Sequence, residues 1–304
     1  MRIVSLIASA TEIVCVLGLE EQLVGRSHEC DFPESVKRLP CCTAPRFDVD
    51  GSSADIDRLV RETLADGPSV YRVFDDVLRG LEPDLIVTQS QCEVCAVSLK
   101  DVESAVCTWP NSPRICTLLP NCLEDVFADI QRVADSAGVS ERGQALVTRM
   151  REEIRAISER ANGWGRPPTV ACLEWLDPVM AAGNWMPELV RAAGGINLFG
   201  EAGKHSPNLE WSEVVRQDPD VIVAMPCGFD LERTRREMPA LTKRPEFRRL
   251  RAVRNGRFWI ADGNAYFNRP GPRLIDALEM LAAAVVPGAF AFSHSGMEVY
   301  TGEE

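Results

Sequence analysis

Short apolar runs alternate with amphipathic stretches along almost all of this chain, and no other feature restricts its fold as much. Arg2–Ile7 is apolar, and Ser9-x-x-Glu12 then reads as a capping box ahead of Ile13, Val14, Val16 and Leu17. Gly18 ends that helix and Leu23-Val24-Gly25 begins the next strand. Asp55–Ala65 carries Ile56, Leu59, Val60 and Leu64 at helical spacing. Val73–Leu81 reads as another helix, closed by Glu82-Pro83-Asp84 before the buried strand Leu85–Thr88. A further helix and strand follow, Leu99–Val106 and Arg114–Leu118. Helix and strand in this order predict a mostly parallel sheet covered on both faces.

The stretch Leu123–Ala161 breaks the alternation. Val126, Ile130, Val133 and Ala137 form one apolar stripe, and Leu146, Met150, Ile154 and Ile157 form another. Only Gly138-Val139-Ser140 interrupts them, so the pattern predicts one long helix, kinked at most. Asn162–Pro168 is heavy in turn residues, and the alternation restarts after it. Strands are expected at Thr169–Leu176, at Val221–Met225 and, last, at Phe258–Ala261. Helices are expected at Pro187–Ala193, Glu213–Gln217 and, last, Pro272–Val286. The fold class is therefore α/β, with two lobes, each a mostly parallel central sheet flanked by helices, joined by one long backbone helix. The boundaries fall at residues 1–120, 121–163 and 164–304.

Composition narrows the function. No apolar run approaches the ~20 residues that cross a bilayer, so membrane insertion is not expected. Thirty-three basic against 45 acidic side chains leave a net charge of −12, which repels phosphate backbones and argues against nucleic acid as a partner. The five residues Ile3–Ile7 are too short for a secretory apolar region, and Glu12 blocks a longer one. They read as a strand entering a helix, which places the chain in the cytoplasm. Eleven cysteines, an odd number in a long chain, fit reduced structural thiols, with Cys15, Cys116 and Cys172 among apolar neighbours. No Gly-x-Gly-x-x-Gly, Walker, Gly-x-Ser-x-Gly or His-Glu-x-x-His stretch is present, which weakens nucleotide and hydrolase readings.

Several segments resemble one family. They are RIVSLIASATEIV at residues 2–14, LGL at 17–19, LVG at 23–25 and LEPDLIV at 81–87. Further on come AAGGIN at 192–197, QDPDVIV at 217–223, AVRNGRF at 252–258 and RPGPR at 269–273. In order and spacing the chain resembles the class III periplasmic binding proteins of the Fe/B12 type, whose siderophore, haem and corrinoid binders share these landmarks. SHECDFP at 27–33 and QCEVCAVS at 91–98 look like a leaderless branch of cobalamin-binding proteins. The resemblance implies a small-molecule ligand, cobalamin first, held in a cleft between two lobes braced by the long helix. It also implies delivery to a membrane importer, a role that a cytoplasmic chain, expected to be monomeric, would not fill.

Sites of this kind lie where strands end and helices begin, because helix N-termini present free amides there. The expected ligand set is Ser9, Thr11, Ser27, His28 and Gln91 in the first lobe, and Trp175, Asn184, Trp185, Trp211, Tyr266, Phe267 and Asn268 in the second. A broad, mostly apolar ligand wants aromatic faces with a few polar anchors. Trp175 and Trp211 serve equally well as packing residues, whereas Trp185 and Tyr266 sit in loop-like surroundings that favour ligand contact. His28 and Cys30 with Cys92 and Cys95 make a complete tetrahedral metal set, for zinc or iron, if their segments converge. Two other readings stay open for them: a thiol pair that is redox-active or coordinates the ligand, and ordinary reduced cysteines. His205 and His294 read as surface residues, Cys41 and Cys42 as packing, and Arg269 to Arg273 as a helix start whose arginines could face an anionic group. Two functions follow. One is a cytoplasmic corrinoid-binding protein without catalytic residues; the alternative is a metal-centred enzyme or metal-handling protein built on the His/Cys cluster.

Overall fold

The computed structural model describes residues 1–65, 69–90, 99–106, 109, 112–291 and 294–301. The chain divides into two compact units. The first comprises Met1–Gly51, Asp55–Pro120 and Glu124–Arg149, and the second comprises Ser52–Ala54, Asn121–Leu123 and Met150–Glu304. No described helix is long and apolar enough to cross a membrane.

In the first unit, strands β1 (Ile3–Ser5), β2 (Leu23–Arg26), β5 (Leu85–Gln89) and β6 (Arg114–Leu118) form a four-stranded sheet in the order β2-β1-β5-β6. All its pairs are parallel. β1 and β5 are buried along their whole length, which is why they read as continuous apolar runs. Strands β3 (Thr43–Pro45) and β4 (Tyr71–Val73) pair antiparallel in a separate ribbon. The expected helix from Val73 is shorter, because Val73 closes β4 and α3 spans only Asp75–Gly80. Helices α1 (Ala8–Val16), α2 (Ser53–Ala65) and α4 (Leu99–Val106) complete the alternation. Val4, Leu6, Leu78, Ile86, Val102 and Trp109 share one core, each Ile or Leu contributing roughly 1.5–3 kcal/mol by burial.

The capping box at Ser9 does not form. The ladder continues past β1, with the Leu6 amide donating to the Val87 carbonyl, so α1 starts at Ala8 with Ile7 as its cap and no side-chain cap bond. Ser9 is therefore inside the helix and buried, and its Oγ has no partner among the described residues.

The long helix is also two helices, α5 (Leu123–Ser136) and α6 (Ser140–Ala161). Gly138 takes φ +75°, its amide donates to the Asp135 carbonyl, and the Val139 amide donates to the Ala134 carbonyl. That is the hydrogen-bond pattern of a Schellman stop, which satisfies the last carbonyls of α5. The stop brings Gly143 of α6 so close to α5 that a Cβ there would lie 2.5 Å from the Ala134 Cβ.

The second unit holds a six-stranded mixed sheet. Strands β7 (Thr169–Leu176), β10 (Val221–Ala224) and β11 (Phe258–Ala261) are parallel neighbours. On its other edge β7 takes the parallel β9 (Ile196–Asn197) at its start and the antiparallel β8 (Val179–Ala181) at its end. Phe258–Ala261 is not the last strand, because β12 (Met297–Val299) pairs antiparallel with it. Helices α7 (Met186–Ala192), α8 (Trp211–Gln217), α9 (Leu231–Glu237), α10 (Pro239–Thr242), α11 (Arg251–Arg254) and α12 (Leu274–Val285) surround the sheet. Its core gathers Ala171, Leu173, Val214, Ile222, Leu241, Phe247, Phe258 and Ile260.

Two glycines test this local reading. Gly138→Ala should lower stability by about 1–2 kcal/mol in urea unfolding, because alanine resists the left-handed conformation. Gly80→Ala, helical with nothing within 4 Å of a new Cβ, should be neutral or stabilising by ~0.5 kcal/mol.

Candidate functional site

Parallel strands leave their C-terminal ends free to carry loops, and each unit places polar and aromatic residues there. In the first unit the ends of β1 and β2 meet the first turns of α1. Thr11 Oγ1 lies 2.8 Å from Ser5 Oγ and 2.9 Å from Cys30 Sγ, and Ser27 Oγ lies 3.2 Å from the same sulfur. Ser5, Thr11, Ser27 and Cys30 are all buried. Burial pushes the Cys30 thiol up, against the hydrogen bonds from Ser27 and Thr11 that favour the thiolate. Cys30 is thus a protonated packing thiol that pins the turn from Ser27, whose carbonyl accepts its amide at 3.3 Å.

His28 sits outside that cage. Thr43 Oγ1 accepts the His28 backbone amide at 3.1 Å and lies 2.8 Å from Nδ1. That second bond runs in the direction the ring tautomer sets, since the hydroxyl can accept from both groups or donate to Nδ1. Burial, helped by Arg26, pulls the His28 pKa down to about 4, so the ring is neutral at neutral pH. Tyr71 packs on it at 5.1 Å between centroids, and the Tyr71 hydroxyl donates to Glu29 at 3.4 Å. On the other side of the ring, Nε2 lies 3.9 Å from the Glu29 carboxylate.

Only two members of the tetrahedral metal set, His28 and Cys30, fall among the described residues. Cys30 is closed in and protonated, and His28 Nδ1 is taken by Thr43. Gln91, Cys92 and Cys95 lie outside the described residues. Thr43 and Tyr71 were not legible as site residues, because they belong to a short ribbon with no periodic signal.

In the second unit the ends of β7, β10 and β11 converge. At β7, Glu174 accepts from Ser206 Oγ at 2.7 Å, and that Oγ accepts the Gly183 amide at 3.0 Å. Trp175 is half-buried, donates its indole N–H to the Ser53 carbonyl at 3.2 Å, and lies 5.1 Å from the Phe229 ring. The Arg233 guanidinium covers Phe229 at 4.1 Å, a cation–π contact that ends the stack.

After β11 the backbone makes one π-helical turn, Gly263–Phe267, capped by Asp262, whose carboxylate accepts the Ala265 amide at 2.6 Å. Two bonds tie this turn to the loop after β10: Asn268 Nδ2 to the Met225 carbonyl at 2.9 Å, and the Asn264 amide to the Phe229 carbonyl at 3.1 Å. Only glycine fits at 263, because a Cβ would lie 2.2 Å from the Pro226 carbonyl oxygen. The turn presents Tyr266, half-buried, with the Arg273 guanidinium 5.2 Å from its ring centroid. Arg269 is buried and donates to Asn264 Oδ1 at 3.1 Å.

The other expected ligand residues of the second unit make internal contacts. Trp185 is buried, and its indole N–H donates to the Phe267 carbonyl at 3.0 Å. Phe267 is fully buried and Trp211 belongs to the core, so neither offers a face. Asn184 holds φ +51° in a turn, where its amide donates to the Lys204 carbonyl at 2.7 Å. Asn268, half-buried, braces the π-turn. Phe229, Arg233 and Asp262 had no sequence signal beyond Asp262-Gly263 as a turn pair. Surface hollows of about 280 and 550 Å³ lie elsewhere, at the start of β2 and around β9.

A family model described as periplasmic binding protein matches residues 3–265. A vitamin B12-binding protein of Vibrio parahaemolyticus is 22% identical over 282 residues, 91% of this chain and 86% of its own. An uncharacterized ABC transporter substrate-binding lipoprotein of Bacillus subtilis is 22% identical over 300 residues, 95% of this chain and 81% of its own. Among solved structures, a periplasmic heme-binding protein of Pseudomonas aeruginosa superposes with a TM-score of 0.73 at 22% identity, covering 97% of this chain and 96% of its own. The periplasmic vitamin B12-binding protein of Vibrio cholerae gives 0.64 at 19%, covering 93% and 96%.

The His28 environment predicts a pH dependence. Its folded pKa lies below the unfolded value, so the stability it contributes is full above about pH 6.5 and is lost as the pH falls towards 4. His28→Gln should remove about 1–2 kcal/mol of that acid-side loss, after allowance for the ring's partial exposure. Urea unfolding of both proteins from pH 7.5 to 4 reads the difference; parallel curves would mean that the ring is not held neutral.

Proposed function

Because the chain belongs to the periplasmic binding protein family, we propose that it binds a corrinoid, cobalamin foremost, or a related tetrapyrrole-like metal chelate. The observation that carries this reading is the half-buried aromatic surface at the C-terminal strand ends of the second unit. There Trp175, backed by Phe229 and Arg233, and Tyr266 on its π-turn are held by the Ser53, Met225 and Phe229 carbonyls. Rigid aromatic faces beside fixed polar groups suit a large flat ligand with an amide or carboxylate rim. Relatives that carry the name vitamin B12-binding protein, and structural neighbours titled as heme- or B12-binding, support the ligand class.

The cytoplasm remains part of the proposal. It rests on the free thiols among the described residues, with Cys30, Cys42, Cys116 and Cys172 buried, which fit a reducing compartment. In a periplasmic setting the same ligand site would instead serve an importer, as family membership allows; cell fractionation separates the two.

Cobalamin titration of the purified chain should show one saturable site. Trp175→Ala with Tyr266→Ala should weaken it at least tenfold, about 1.4 kcal/mol, while Trp164→Ala, at an exposed tryptophan, should leave it unchanged. Replacing Trp185 would not test the site, because its indole is buried against the Phe267 carbonyl. Absence of both cobalamin and haem binding would reject the reading; haem binding alone would change the ligand within it.

A further inference from the structure

On the second unit, Asp276 and Glu279 lie one turn apart on α12, and His294 reaches the same place from the segment before β12. One ligand atom from each lies within 4.8 Å of the other two, and His294 Nε2 is 3.0 Å from Glu279 Oε2. His294 and Asp276 are partly buried, whereas Glu279 is exposed.

A lone exposed His–Glu pair is worth little, ~1 kcal/mol at most, and does not account for a third donor converging on it from the same helix. One imidazole nitrogen with two carboxylate oxygens is a donor set for a borderline divalent metal, with open positions left for water. Zinc bonds of ~2.0–2.2 Å separate tetrahedral ligands by about 3.4 Å, so the His–Glu spacing is already close and a side-chain rotation brings in the rest. Asp276 has a partner of its own, and a carboxylate keeps one oxygen for such a partner while the other binds metal.

We propose that Asp276, Glu279 and His294 form a site for one divalent transition cation of the zinc type, which ties the segment before β12 to α12. The tie has a mechanical consequence. Two residues past His294, Gly296 packs directly under Tyr266, where a Cβ would lie 2.4 Å from its ring, and the Gly296 carbonyl accepts the Asp262 amide at 2.8 Å. The cation thus braces the seat of the π-turn without touching the ligand site.

The site is tested on the full chain after chelator treatment, by calorimetric titration with zinc chloride and by the absorption spectrum with cobalt(II). Because the chain has eleven cysteines, the spectrum is decisive: thiolate ligands give an intense charge-transfer band and this donor set does not. The expected result is one equivalent of zinc, at least tenfold weaker binding in both His294→Ala and Asp276→Ala, and a cobalt adduct without the thiolate band. Zinc should also raise the thermal midpoint of the native chain and not of the variants. Binding unchanged in both variants, a thiolate band in the cobalt adduct, or no zinc binding at all would overturn the assignment and leave an ordinary ion pair. None of these readouts uses cobalamin or haem, so the outcome is independent of the ligand proposal.

Discussion

The structure depends first on what a parallel strand pair requires. Two parallel strands cannot be joined by a tight turn, so the chain must cross over through a helix, and both faces of the sheet become covered. Burial of β1, β5 and β10 on both sides follows from that geometry. The same crossovers leave the C-terminal ends of the strands as the place where loops gather. The aromatic and polar groups of both units stand there for that reason, and the antiparallel β8 and β12 only extend the edges of the second sheet.

Buried polar groups then decide what those loops can do. In the first unit, Ser5, Thr11, Ser27 and Cys30 satisfy one another, which fixes the turn after β2 and removes Cys30 from chemistry. Thr43 accepts the amide of His28, one residue from Ser27, and lies against Nδ1, while burial keeps the ring neutral. In the second unit, the Met225 and Phe229 carbonyls accept from Asn268 and Asn264 and hold a π-helical turn that would otherwise leave backbone groups unpaired. These bonds position the site; its exposed surface is a small remainder of rings and charged tips.

Much of the fold was legible because apolar periodicity is a local property. The strands Leu85–Gln89, Thr169–Leu176 and Phe258–Ala261 stand where the apolar runs placed them, as do the helices around Ile56 and Leu123. Boundaries were less legible. Ser9 looked like a cap because Glu12 follows at the right spacing, yet continued pairing from β1 started the helix at Ala8. Gly138 was visible as an interruption, but whether it kinks or stops a helix depends on which carbonyls the next amides reach. Strands as short as β3, β9 and β12 carry too few residues for any period to register.

The sequence by itself determined the α/β class and the two-part alternation, because both follow from spacing along the chain. The landmarks that resemble the periplasmic binding proteins were equally plain in it, and the family match bears them out. Tertiary structure alone decided which side chains face outward. Trp185 beside Gly183 and Asn184 looked like a loop residue, and a carbonyl 82 positions away made it interior. Trp175 read as equally suited to packing, and Phe229 and Ser53 left it half-buried. Exposure of an aromatic ring is set by partners far along the chain, and spacing carries no record of those contacts.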